Sequence, residues 1–143
     1  MSVPRELHRG GRARLAGQGL RFAASGGAVA IVYVATTTLL AEVIGIPFEL
    51  ALAIGFSIAI ATHFTLQRVF VWTHADGFAL PLRQQALRYL PIAGAQYGLT
   101  AAATATLPGA LGVRTEVVYL CAAGLLSAVN FFVFRTRVFH PAG

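Results

Sequence analysis

Four long apolar runs, separated by short polar segments, dominate the pattern along the chain. Residues 22–41 and 50–67, for example, contain no Asp, Glu, Lys or Arg. An α-helix rises about 1.5 Å per residue, so about 20 such residues cross a hydrocarbon core about 30 Å thick. The pattern therefore predicts an all-α integral membrane protein with four transmembrane helices. The predicted spans are residues 22–43, 48–66, 89–111 and 117–134.

Composition supports lipid as the solvent of these helices. The 143 residues are 57% hydrophobic and only 11% charged, whereas a soluble domain carries about 25% charged residues. The net charge is +6, and every basic residue is an arginine. Because the arginines lie at the ends of apolar runs, they favour orientation in a membrane over binding of nucleic acid.

The chain repeats itself at an interval of 67 residues. Residues 20–73 (repeat 1) align without a gap with residues 87–140 (repeat 2), with 13 identities in 54 positions. The decamer H-F-T-L-Q-R-V-F-V-W at 63–72 corresponds to N-F-F-V-F-R-T-R-V-F at 130–139. The identical pairs include Arg21/Arg88, Gly27/Gly94, Gly45/Gly112, Glu49/Glu116, Phe64/Phe131, Arg68/Arg135 and Val71/Val138. We therefore expect two copies of one helical hairpin.

The distribution of arginine predicts the orientation. Ten of the eleven arginines lie in the N-terminal tail, the central loop and the C-terminus, and only Arg114 lies in a hairpin loop. Because basic loops stay on the cytoplasmic side, both termini should be cytoplasmic in the cell membrane. The two hairpins would then be parallel repeats. Residues 1–20 are predicted to be a flexible basic tail, and residues 21–143 a single four-helix membrane domain.

Arg68 and Arg135 occupy equivalent places at the cytoplasmic ends of spans 2 and 4. They could be stop signals whose side chains reach the lipid headgroups, with nearby aromatics as an interfacial belt. They could instead bind a phosphate-bearing lipid, because a guanidinium offers planar, bidentate donors. Composition alone leaves both interpretations open.

Five further polar residues lie within the spans or at their edges. His63 and Asn130 form a matched pair inside the membrane, and Gln96 lies deep in span 3. Polar groups at such depth face the protein interior, where they could join helices or line a polar path. Glu49 and Glu116 begin spans 2 and 4, where the helix dipole favours a carboxylate; contact with a substrate hydroxyl is the alternative.

Small residues at intervals of four predict close helix packing in two places. Span 2 carries Ala51, Gly55 and Ala59, and span 3 carries Gly94 and Gly98. Such stripes let helix backbones approach in lipid, where no hydrophobic force drives association.

The sequence offers no residue set for catalysis, a metal or a cofactor. It has no Ser/His/Asp or Cys/His set, no carboxylate pair at depth and no glycine loop for a phosphate. The single Cys121 cannot form an intramolecular disulfide. We therefore expect no enzyme activity, no metal and no cofactor. A proton-coupled small drug exporter would carry a carboxylate in the middle of span 1, and this chain has none there.

Several motifs resemble those of the GtrA-like family of small four-helix membrane proteins. The chain opens with Arg21-Phe22 and then Gly26-Gly27, similar to the family's R-F-x-x-x-G-G. The two decamers are similar to its N/S-F-x-x-N-R-x-W-V-F pattern. The asparagine before the arginine is replaced by Gln67 in one copy and by Phe134 in the other. The polar residues often found early in span 1 are replaced by Val29 and Tyr33.

The resemblance implies translocation of a polyprenyl-phosphate-linked sugar for cell-surface polysaccharide or glycolipid synthesis. Arg68 and Arg135 would then hold the phosphate. The polar path would consist of His63, Gln67, Gln96 and Asn130. The alternative is a non-transporting subunit that anchors or assists a polyprenyl glycosyltransferase through the Gly94/Gly98 face. Expected partners are membrane lipid, the lipid-linked sugar, a membrane glycosyltransferase and a second copy of the chain.

Overall fold

The computed structural model describes residues 5–143, and over that range the chain is helical. Its α-helices are α1 (Arg5–Thr38), α2 (Phe48–Leu66), α3 (Leu82–Leu111) and α4 (Thr115–Val133). Short π-helical turns continue three of them, at Leu39–Val43, Gln67–Val71 and Phe134–Val138. The prediction of an all-α protein is confirmed, since the described part has no strand and only an isolated bridge between Phe78 and Pro141.

The chain divides into two compact units, each containing one helical hairpin. Unit 1 is Met1–Thr73 and holds α1 and α2, and unit 2 is His74–Gly143 and holds α3 and α4. The boundary falls within the polar segment that the sequence predicts as the link between repeats. That the units are parallel copies, and that residues 21–143 form one domain, stay predictions.

In unit 1 a short turn at residues 44–47 joins the two helices. Gly45 has φ +78°, a conformation that glycine adopts without the steric cost that a side chain brings. Pro47 then begins the next element, and its carbonyl accepts the N–H groups of Leu50 and Ala51, both at 3.0 Å. Helix α2 starts at Phe48 and ends at Leu66, the bounds predicted for span 2.

The small-residue stripe of α2 is packed, whereas that of α3 is open. Ala51, Gly55 and Ala59 are buried, and a Cβ at Gly55 would collide with Thr37 Oγ1 of α1. The predicted close contact of span 2 is therefore confirmed. Gly94 and Gly98 are exposed, and a Cβ added at either meets nothing within 4 Å.

In unit 2 the first helix is longer than the predicted span. Helix α3 begins at Leu82 rather than at residue 89, directly after Pro81, whose carbonyl accepts the Gln85 N–H at 3.1 Å. The predicted start differs because Arg83 and Arg88 mark the edge of the apolar run, whereas the helix itself continues through them. Helix α3 ends where Gly112 takes a left-handed φ of +65°, a frequent way to terminate a helix.

The N-terminal tail is part of α1. Residues 5–20 are α-helical and run directly into the apolar segment, whereas residues 1–4 lie outside the described part. Alanine, leucine, arginine and glutamine in this stretch have good intrinsic helix propensity. The flexibility expected for residues 1–20 stays a prediction.

Three helical segments in the described part are long and apolar enough to cross a membrane: Ala13–Val43, Phe48–Val71 and Thr115–Val138. Helix α3 is long enough but less apolar, since it carries Arg83, Arg88, Gln96 and several threonines. The prediction of a membrane protein is thus confirmed for three of the four expected spans. The fourth span and the orientation of the termini stay predictions.

The end of the chain pairs with the loop that precedes α3. The N–H of Ala79 donates to the His140 carbonyl at 3.1 Å, and the N–H of Ala142 donates to the Gly77 carbonyl at 3.2 Å. His74 Nε2 donates to the Phe139 carbonyl at 2.8 Å. These bonds hold the segment that follows α4 in a defined path within unit 2.

Candidate functional site

Helix α2 ends in a π-helical turn that brings Gln67 and Trp72 onto one face. The Trp72 N–H donates to the Gln67 carbonyl at 2.9 Å. Residues five apart in an α-helix point about 140° away from each other, at about 100° per residue. The wider turn lets Trp72 Nε1 donate to Gln67 Oε1 at 2.8 Å. Both side chains have 0% exposure, so this bond is shielded from solvent.

The Gln67 amide also joins α2 to α1. Its Nε2 donates to Ser25 Oγ at 3.1 Å and lies 2.9 Å from His63 Nε2. Ser25 Oγ in turn donates to the Phe22 carbonyl at 2.8 Å. Gln67, which the sequence analysis assigns to the polar path, is thus fully buried and hydrogen-bonded to the side chains of three neighbouring residues.

This network determines the tautomer of His63. An indole N–H can only donate, so the atom of Gln67 that faces Trp72 is the amide oxygen. The amide nitrogen therefore faces His63, and since it carries only donors, His63 Nε2 must accept. The imidazole is consequently neutral, with its proton on Nδ1. Its ring also contacts Phe22 edge-on, with centroids 6.3 Å apart.

Arg68 is the second residue of the same π-turn and is half-buried. A separate arginine braces this turn: the Arg21 guanidinium carbon lies 5.9 Å from the centroid of the Phe70 ring. Arg21 Nη1 also donates to Thr73 Oγ1 at 3.4 Å. Arg21 therefore links α1 to the end of α2.

The π-turn of unit 2 has the same backbone bond but different side chains. The Phe139 N–H donates to the Phe134 carbonyl at 2.8 Å, 67 residues after the corresponding pair of unit 1. The two rings meet edge-on with centroids 6.0 Å apart, and Tyr89 stacks on Phe134 at 5.2 Å. An aromatic pair thus stands where unit 1 has a glutamine–tryptophan hydrogen bond.

Arg135 is exposed and is the second residue of this turn, as Arg68 is of the other. Arg88, the counterpart of Arg21, again acts as a brace: its Nη1 donates to the Arg137 carbonyl at 2.9 Å. The N-terminal arginine of each predicted repeat therefore holds a helix pair together. Arg68 and Arg135 hold the second position of their respective π-turns.

A second polar cluster lies between α3 and α4. Asn130 Nδ2 donates to Gln96 Oε1, and Gln96 Nε2 donates to Ser127 Oγ at 3.4 Å. Asn130 is 7% exposed, and the other two are half-buried. Sequence reasoning found Gln96 and Asn130 but missed Ser127. The available signal was its position three residues before Asn130, on the same helix face.

The contacts among the predicted site residues therefore form one group within each unit. Unit 1 brings His63 and Gln67 into contact beside Arg68, and unit 2 brings Gln96 and Asn130 into contact. Of the two glutamates, Glu116 forms an ion pair with Arg114 at 3.3 Å on the surface. Within the described residues, no group of three or more His, Cys, Asp or Glu side chains is arranged to hold a metal.

Comparison with known families decides the assignment of the chain. Residues 21–139 match the model of the GtrA/DPMS transmembrane domain. The chain belongs to this family. The match begins at Arg21, which links α1 to α2, and ends at Phe139, whose N–H closes the second π-turn. It therefore covers both hairpins of this GtrA/DPMS protein. Membership connects it with polyprenyl-linked sugar metabolism or translocation. Searches of curated proteins and of solved structures give no match.

Proposed function

We propose that this GtrA/DPMS protein translocates a polyprenyl-phosphate-linked sugar across the cytoplasmic membrane, for cell-surface polysaccharide or glycolipid synthesis. The observation that carries the proposal is the matched position of Arg68 and Arg135. Each is the second residue of a π-helical turn at the end of an apolar helix. π-helical turns are rare and occur frequently at functional sites.

In this proposal the two arginines bind the phosphodiester. A guanidinium forms two parallel hydrogen bonds with phosphate oxygens and stays charged at every physiological pH. The buried residues on either side of each arginine, Gln67 and Val71 in unit 1 and Phe134 and Val138 in unit 2, fix the backbone that carries it. The prenyl chain remains in lipid, because none of its groups needs a polar partner.

The polar path of the proposal uses the two clusters differently. His63 and Asn130 offer hydrogen bonds to the headgroup, and Gln96 orients Asn130 by accepting its N–H. Gln67 contributes indirectly, because its amide is already bonded to Ser25, His63 and Trp72 and holds the His63 ring in one orientation.

The proposed topology has four spans, with α3 as the least apolar, and both termini in the cytoplasm. The hairpins would be parallel repeats, so that Arg68 and Arg135 both face the cytoplasmic leaflet. The concentration of arginine outside the hairpin loops supports this orientation. Consumption of the sugar on the outer side, by a membrane glycosyltransferase, would drive net movement. We assign transport and no catalytic reaction to the chain.

Reconstitution into liposomes tests the proposal. Vesicles that contain the protein should move a labelled polyprenyl-phosphate monosaccharide between leaflets faster than empty vesicles. The variants Arg68→Ala and Arg135→Ala should insert normally and lose this activity. Arg114→Ala is the matched control, since Arg114 lies in a hairpin loop and pairs with Glu116. Equal rates in protein-containing and empty vesicles would refute translocation, and normal rates in both arginine variants would refute the phosphate site.

A second candidate function is a non-transporting subunit that anchors or assists a glycosyltransferase. The open face of α3 at Gly94 and Gly98 favours it, since a partner helix could approach closely there. Under this alternative Gly94→Leu should abolish co-purification with a glycosyltransferase, and the protein alone should move no lipid. In a homodimer a second copy of the chain would occupy this face, and chemical cross-linking in membranes would detect it.

A further inference from the structure

The polar cluster of unit 2 contains one hydrogen-bond donor and one acceptor that the bonds within the cluster do not use. Gln96 Oε1 accepts from Asn130 and Gln96 Nε2 donates to Ser127. Because Ser127 Oγ accepts this bond, its own proton is available for donation. Asn130 uses its nitrogen, so Oδ1 is available as an acceptor. Within the described part of unit 2, neither the Ser127 O–H nor Asn130 Oδ1 has a further partner.

Several hydroxyls in the apolar helices use their proton in a bond to their own helix backbone, although Thr37 Oγ1 is buried without a partner among the described residues. A hydroxyl in lipid ordinarily bonds to a carbonyl of its own helix. Ser57, Thr65, Thr104, Thr106 and Thr136 all do so, each with the carbonyl four residues earlier at 2.8 Å. Ser127 instead receives the Gln96 amide. Ser127 Oγ is thus an acceptor from the neighbouring helix, and its own proton is not needed for that bond.

The corresponding positions of unit 1 cannot do the same. At the 67-residue interval, Val29 corresponds to Gln96 and Ile60 corresponds to Ser127. Only His63, the counterpart of Asn130, is polar, and its Nε2 is occupied by Gln67. The donor and acceptor pair therefore belongs to unit 2 alone.

We propose that the Ser127 hydroxyl and Asn130 Oδ1 together bind hydroxyl groups of the sugar in the lipid-linked substrate. Ser127 and Asn130 are three residues apart, so their side chains are neighbours, with Cβ atoms about 5–6 Å apart on one helix face. They lie about 12 Å and 7.5 Å before Arg135 along the helix axis. This inference rests on the proposed function and adds the group that recognises the sugar to the arginine that recognises the phosphate.

The chemistry of the pair selects a neutral polyol. One site donates and the other accepts, and a sugar hydroxyl can do both. A carboxylate at the same place could satisfy Ser127 but would face the Asn130 oxygen without a proton between them. Loss of a single sugar hydroxyl would leave one member of the pair unpaired in an apolar surrounding, which is costly. Gln96 acts as a positioning residue, because it sets the orientation of both partners.

Binding measurements on the full chain in lipid nanodiscs test the inference with two probes. One probe is a short polyprenyl phosphate that carries a hexose, and the other is the same polyprenyl phosphate without sugar. Isothermal titration should show that Ser127→Ala weakens binding of the sugar-bearing probe about fivefold, the value of one neutral hydrogen bond. Binding of the bare phosphate should not change. Ser127→Thr, which keeps the hydroxyl, should retain most of the affinity.

Ser57→Ala is the matched control, because that hydroxyl is satisfied by the Ala53 carbonyl; both probes should bind it as they bind the wild type. Unchanged binding of the sugar-bearing probe by Ser127→Ala, or an equal loss for both probes, would refute the inference. Arg135→Ala should weaken both probes alike. If it weakens neither while Ser127→Ala acts as expected, the phosphate site of the proposed function is wrong and the sugar contact stands.

Discussion

Trp72 Nε1 donates a hydrogen bond of 2.8 Å to Oε1 of Gln67, five residues earlier in the chain. The contact depends on the π-helical turn between them, since an α-helix would direct the two side chains apart. Gln67 Oε1 has this indole as its donor, and both residues are inaccessible to solvent. Because Gln67 also donates to Ser25 of α1, the pair connects the π-turn at the end of α2 to the contact between α1 and α2.

Replacement of Trp72 by phenylalanine should destabilise the protein, although unit 2 has phenylalanine at the equivalent place. The change leaves Gln67 Oε1 buried without a donor, at a cost of about 1–3 kcal/mol. Unfolding by sodium dodecyl sulfate in mixed micelles measures the difference. The double variant Gln67→Leu/Trp72→Phe should lose less than the sum of the single variants, since the orphaned oxygen is then absent. Additive losses would show that the bond contributes nothing.

The tautomer of His63 is directly observable. We expect its imidazole to be neutral with the proton on Nδ1, because Nε2 accepts from Gln67. Nitrogen-15 chemical shifts of selectively labelled protein distinguish the tautomers, and His74, which donates through Nε2 to the Phe139 carbonyl, is an internal reference. In Gln67→Glu the side chain becomes an acceptor only, so the His63 proton should move to Nε2. A wild-type protein with the proton on Nε2 would contradict the network.

Gly55→Ala should loosen the contact between α1 and α2. The new Cβ meets Thr37 Oγ1, and overpacking of this kind costs about 1–3 kcal/mol. Gly94→Ala is the control, because its Cβ enters open space and alanine is the better helix former by about 1 kcal/mol. In thermal unfolding in detergent, the midpoint temperature of Gly55→Ala should lie below that of the wild type, and that of Gly94→Ala should lie above it. Thr37→Ala should relieve the defect of Gly55→Ala, and failure to do so would refute the assigned contact.

Lysine at position 135 should separate charge from geometry at the proposed phosphate site. Arg135→Lys keeps the positive charge but lacks the bidentate fork, so its rate of lipid translocation should fall between those of the wild type and Arg135→Ala. Flipping assays in liposomes measure this order. The comparison with Arg68→Lys shows whether the half-buried arginine is the more sensitive of the two. Full activity of both lysine variants would show that charge alone suffices, as for a simple orientation signal.

The bounds of α2 were predictable from the sequence because two independent signals coincide there. Pro47 marks the start, and the loss of apolar character near Gln67 marks the end of the apolar run. Helices α1 and α3 are longer than hydropathy indicates, since they extend through arginine-containing segments that lie outside the apolar runs. Hydropathy reports the part of a helix that suits lipid, whereas backbone hydrogen bonding continues into polar segments.

The candidate site was predictable in its residue types but not in its connections. The 67-residue repeat identified Arg68, Arg135, His63 and Asn130, because polar residues at matched positions in apolar runs are conspicuous. It could not reveal the π-turns, since no periodicity of apolar residues encodes a single wide turn. The repeat therefore did not predict the hydrogen bond between Gln67 and Trp72. Ser127 was missed because a lone serine in a membrane helix ordinarily bonds to its own backbone.

A π-helical turn contains one more residue than the α-helical turn that it replaces, and this has a consequence for comparing GtrA/DPMS chains. A relative that lacks one residue between positions 67 and 71 would close the turn as an α-helix and break the alignment of its flanking side chains. We therefore expect the turn to require a fixed number of residues in this segment. Aligned sequences should preserve that number even where glutamine and tryptophan have been exchanged for two phenylalanines, as in the second half of this chain.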